Sequence, residues 1–153
     1  MHKMTWIIIQ HILFLVLIFP LHVSGEVIFK GRSEGMAYQL EVIADGLGVP
    51  WAMAFLTNKQ LLITERGGKL KLLDLDNGQL KIVSGIPPVY ATGQGGLLDV
   101  ALPPGYHEDD WIYLTYSKPV NKLSATTLAR AKFRNGGLVD WNDLLVTKSM
   151  TET

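Results

Sequence analysis

The chain has 153 residues, which is enough for one ordinary domain. Lys and Arg number 14 and Asp and Glu number 14, so no net field draws it to nucleic acid, and no basic run does so locally. Cysteine is absent, which excludes disulfides, thiolate chemistry, Cys-ligated zinc and a lipoprotein anchor.

Residues 1–25 read as a leader. MHKM carries Lys3, WIIIQHILFLVLIFPL is nearly all apolar, Pro20 stops any helix, and HVSG offers small residues for cleavage after Gly25. An uncleaved anchor is the competing reading. The run is shorter than the roughly 20 residues a span needs, and Gln10 and His11 interrupt it. Export to the periplasm or beyond is therefore expected, with no stable membrane span after cleavage. Removing the leader leaves 13 Lys and Arg against 14 Asp and Glu.

Residues 26–153 are expected to be all-β. YQLEVIA (38–44) alternates apolar and polar positions, and VPWAMAFL (49–56) is dense enough for a strand buried on both faces. QLLITER (60–66) and KLKLLDL (69–75) alternate around Gly67-Gly68, which predicts a two-residue hairpin loop. Asn77-Gly78 predicts a second hairpin, into LKIVSGI (80–86), and Pro87-Pro88 closes the unit. SATTLARAKF is the longest helical candidate, and its adjacent threonines suit a strand equally well.

The unit then recurs at an offset of about 46 to 50 residues. LLDVALPPGY (97–106), DWIYLTYS (110–117), ATTLARAKFRNGGLVDW (125–141) and DLLVTK (143–148) repeat the order of apolar run, alternating strand, hairpin and strand. Four strands per repeat fit the blades of a β-propeller, here approximately 38–90 and 91–148; a generic β-sandwich is the alternative. Two blades do not close a ring of four to eight. The chain is therefore expected to be the front of something larger, either a fragment or the product of a truncated gene.

Three segments carry a family resemblance. GVPWAMAFLTNKQLLITERGGKLKLLD, GIPPVYATGQGGLLDVALPPGY and WIYLTYS resemble the soluble PQQ-dependent glucose/sorbosone (aldose sugar) dehydrogenases, from about Leu40 to Leu145. Pro50-Trp51, Thr64-Glu65-Arg66 and Gly93-Gln94-x-Gly96-Leu97-Leu98 are the most specific parts. The resemblance implies a six-bladed propeller, PQQ and calcium as cofactors, an aldose oxidised at its C1 hydroxyl, and a separate electron acceptor. It implies that Gln94 lies in the quinone site. An amide both donates and accepts, which suits quinone oxygens, and glycines allow close approach to a flat ring. An exposed glutamine in a glycine-rich turn is the plainer alternative.

The resemblance also implies a catalytic histidine, which accepts the proton of the sugar hydroxyl, in a segment following Thr153. No catalytic residue is therefore assigned in this chain. Only His2, His11, His22 and His107 occur, and none matches. The chain alone is expected to be inactive. A non-catalytic secreted propeller that binds carbohydrate or protein is the competing function, and a degraded gene without a working product is a third. Trp51 is expected in blade-packing core, Glu65 and Arg66 on opposite sides of their strand, Asp99 near the channel, and His107–Asp110 in a solvated turn.

Overall fold

The computed structural model describes residues 25–151, with side chains through residue 148. Apart from Gly25, the leader lies outside the described residues. Among these residues there are ten strands and no helix, as the alternation predicts. The SATTLARAKF ambiguity resolves to strand. Its threonines stiffen χ1 against a helix and fit a pleated surface.

Strands β3 (Pro50–Thr57), β4 (Gln60–Glu65), β5 (Lys69–Asp74) and β6 (Leu80–Val83) form one antiparallel four-stranded sheet. β7 (Leu97–Ala101), β8 (Trp111–Val120), β9 (Leu123–Arg134) and β10 (Gly137–Thr151) form a second in the same order. These are two consecutive blades of an incomplete β-propeller. β1 (Glu26–Ser33) and β2 (Met36–Val42) pair only with each other. The strand beginning at Tyr38 thus belongs to that hairpin and stands outside the first four-stranded sheet.

Turn chemistry fixes the register. Asn135 and Gly136 have φ of 50° and 78°, the two positive values a tight primed hairpin requires, and Arg134 pairs with Gly137 across them. The Gly67-Gly68 turn is one residue longer than its glycines suggest. Glu65 pairs with Lys69, so Arg66 joins the loop; its N–H donates to Val49 instead of to the ladder.

The core lies between the two sheets. Leu62, Leu70 and Val83 of the first meet Leu97, Ile112, Leu114 and Ala129 of the second. Each large apolar side chain buried there contributes about 1.5–3 kcal/mol. Thr64 joins the sheets by a polar bond as well, its hydroxyl donating to the Leu98 carbonyl. Farther out, Leu138 N–H donates to Ser84 O at 2.8 Å.

β3 differs from expectation. Ala52 and Ala54 face the core, while Trp51, Met53 and Phe55 are exposed on the other face. A dense apolar run does not tell which of its two alternating sets is covered. β4 is the strand buried on both sides: Leu61 and Ile63 lie under Ala44 and Leu47 of the segment leading into β3.

Candidate functional site

The loop Tyr90–Gly96 crosses one end of the two sheets and delivers the chain into β7. Backbone groups at both ends of the loop and on either side of Gln94 are tied down. Tyr90 N–H donates to Ser117 O at 2.8 Å, Gly95 N–H to Thr92 O at 2.8 Å, and Ser117 N–H to Gly96 O at 2.8 Å. Gly96 N–H donates to Ser117 Oγ at 3.2 Å. Leu97 N–H reaches Arg66 O at 3.1 Å, and the Arg66 guanidinium donates to Gly93 O. The loop is thus clamped between the Arg66 turn of the first sheet and the end of β8 in the second.

The glycines serve this clamp. Gly93 has φ of 56°, and nothing lies within 4 Å of where a Cβ would stand. Gly96 is the opposite case: a Cβ there would sit 2.2 Å from Arg66 O. The close approach at Gly96 is therefore to the protein's own backbone. Gly93 leaves the open side beside Gln94.

Gln94 is exposed at the tip of the loop. Its carboxamide makes no hydrogen bond within the described residues, whereas the backbone on both sides is engaged. Asp99 is exposed on β7, with its amide on Thr115 Oγ1 at 3.0 Å. Glu65 and Arg66 do point to opposite sides. Arg66 goes to the Gln94 loop, and Glu65 turns inward to Lys71 Nζ at 2.7 Å and Gly48 N–H at 2.7 Å. Burial alone would raise the Glu65 carboxyl. The Lys71 and Gly48 hydrogen bonds and the charges of Lys71 and Lys69 outweigh it, holding the group below the usual carboxylate range.

His107–Asp110 forms a tight turn, with His107 N–H on Asp110 Oδ2 at 2.8 Å. It follows the far end of β7, so His107 and Gln94 lie at opposite ends of the sheets. His107 is the only histidine among the described residues. Two anchors of the loop escaped sequence reasoning. Ser117 lies more than twenty residues downstream, and Arg66 carries no local mark of its second-sheet partner.

The Arg66 contact is testable. Arg66→Ala should loosen the loop by about 1 kcal/mol, seen as several-fold faster amide hydrogen exchange at Gly95, with the β8 and β9 amides unchanged.

Two stacked four-stranded antiparallel meanders, joined by a clamped glycine loop, define a β-propeller protein. The chain belongs to the glucose/sorbosone dehydrogenase family, whose model matches residues 47–153. It is 48% identical over 80 residues to aldose sugar dehydrogenase YliI of Escherichia coli (strain K12), covering 52% of this chain and 22% of that protein. It is 32% identical over 95 residues to quinoprotein glucose dehydrogenase B of Acinetobacter calcoaceticus, covering 59% of this chain and 20% of that protein. The PQQ-bound aldose sugar dehydrogenase of Streptomyces coelicolor shares the fold with a TM-score of 0.61 at 23% identity, covering 81% of this chain and 34% of that one. The chain thus spans about a fifth of the length of these two curated relatives.

Proposed function

We propose that residues 26–153 form the first blades of an exported quinoprotein sugar dehydrogenase, and that Gln94 contacts its PQQ. When bound, PQQ would supply a quinone able to accept hydride from the C1 hydroxyl carbon of an aldose. The observation that carries the reading is the state of the Gln94 loop. Its backbone is held on both sheets, its one free carboxamide faces outward, and Gly93 leaves open space beside it. The residues present fit such a group: a fixed amide can donate to one oxygen and accept from another without losing internal bonds.

In this reading the chain binds and orients; it does not move the proton. The one described imidazole is at the other end of the sheets, so the base acting on the sugar is not placed in these residues. The leader at 1–25 supports export, and no helix among the described residues is long and apolar enough to cross a membrane. The relatives' names support a sugar substrate and a quinone cofactor.

The test uses the protein that carries this chain, reconstituted with PQQ and calcium. Gln94→Ala is expected to weaken PQQ binding about tenfold, or about 1.4 kcal/mol, with dye-linked aldose oxidation falling in step. Unchanged cofactor affinity would remove Gln94 from the site. A protein that binds saccharide but neither PQQ nor any dye-linked turnover would favour the carbohydrate-binding propeller instead.

A further inference from the structure

We propose that the cleft between the two sheets at the end opposite Gln94 is a separate binding site for a neutral polyhydroxylated ligand of the saccharide class. The cleft has a volume of about 400 Å³. That is at the small end of the roughly 300–1,000 Å³ typical of small-molecule sites. It is composite. Leu56 comes from the end of β3, Gln60 from the start of β4, Tyr106, His107 and Glu108 from the β7–β8 loop, Phe133 from the end of β9 and Asn135 from the turn after it. It exists only because the two sheets pack.

Its lining is what selects the ligand. Leu56 and the half-buried Phe133 give an apolar wall. Around them stand the Gln60 and Asn135 carboxamides, the Tyr106 hydroxyl, the His107 imidazole and the Glu108 carboxylate. None of these five polar groups makes a side-chain hydrogen bond within the described residues. The neighbouring acids are committed elsewhere: Asp110 accepts from His107 N–H at 2.8 Å, and Asp109 pairs with Arg134. Burial, then the carboxylates of Asp110, Glu108 and Asp109, push the Tyr106 phenol up, so it stays a hydrogen-bond donor.

No lysine or arginine lines the cleft, so a phosphorylated or carboxylated ligand would meet Glu108 without a counter-charge. A wholly apolar ligand would strip water from five polar groups and return no bonds. A sugar ring answers both faces. Its C–H face covers an aromatic and aliphatic wall, and its hydroxyls donate and accept among amides, carboxylate and phenol. Asn135 is held ready, because its backbone is set by the primed turn at φ 50°.

The site does not involve the quinone reading, and its test needs no cofactor. Titrate the isotope-labelled protein that carries this chain with D-glucose, maltose or choline and follow the NMR spectrum. Saturable shifts with either sugar are expected at the Gln60 and Asn135 side-chain amides and the His107 ring, with dissociation constants in the millimolar range. Asn135→Gly keeps the positive φ, and Glu108→Gln keeps the shape of an exposed side chain. Each should weaken sugar binding at least fivefold, with the rest of the spectrum unchanged. The proposal is overturned by no saturable shift up to about 100 mM sugar, by shifts confined to the Gln94 loop, by equal binding of choline, or by variants that bind like the parent.

Discussion

Replacing Glu65 by alanine is expected to cost the fold about 3–5 kcal/mol, the range found when one partner of a buried ion pair is removed. The Glu65 side chain is 6% exposed and that of Lys71 13% exposed, so the ammonium left behind would recover only part of its hydration. Lys71 would keep only its bond to Gly46 O at 2.9 Å. The segment that covers Leu61 and Ile63 would lose the Gly48 anchor as well. The pH dependence gives a sharper check. Glu65 titrates below its ordinary value when folded, so its stabilisation is complete above the unfolded value near 4.5. It is lost as pH falls through the lower, folded value. Urea unfolding of the parent and Glu65→Gln should therefore differ most near neutral pH, with the gap narrowing as pH falls below the unfolded value and closing once the folded carboxyl is protonated. A gap independent of pH would show that packing, and not the ion pair, carries the effect.

Gly96→Ala is expected to be among the most damaging single methyl additions in the described residues. The added carbon would lie 2.2 Å from Arg66 O and 2.6 Å from Arg66 Cγ. The near neighbour is backbone, so relief requires the two sheets to separate at that end or the loop to leave its place. A cost of about 3 kcal/mol, at the upper end of the usual overpacking range, is expected in denaturant unfolding. The bonds from Leu97 N–H to Arg66 O and from Gly96 N–H to Ser117 Oγ should be lost with it, exposing both amides to hydrogen exchange. Gly93→Ala is the contrast. Nothing stands within 4 Å of its Cβ position, so it should cost only the strain of a positive φ, about 1 kcal/mol. Equal losses for the two variants would contradict the clamp.

The strands were legible in the sequence because period-two alternation and Asn-Gly turns are local signals. QLLITER, KLKLLDL and the Asn135-Gly136 hairpin need nothing beyond their own neighbours to be read. The recurrence at about 50 residues added the four-stranded unit. The covered face of β3 was not legible, since VPWAMAFL is apolar on both alternations. Nor was the role of each glycine around Gln94. The sequence shows a glycine-rich turn; only the fold shows that Gly96 is bare because Arg66 of another sheet occupies its side.

The same division holds for the site. Composition excluded thiol and disulfide chemistry, because that follows from the absence of cysteine alone. Local pattern determined the strands, their turns and the glutamine loop ahead of β7. Tertiary structure decided what touches that loop: Arg66 lies 27 residues in sequence from its partner Gly93, and Ser117 lies 21 from its partner Gly96. It also decided that His107 stands at the far end and that five uncommitted polar groups converge there. Such meetings depend on sheet packing between distant segments, and no local pattern encodes which distant backbone will stand opposite.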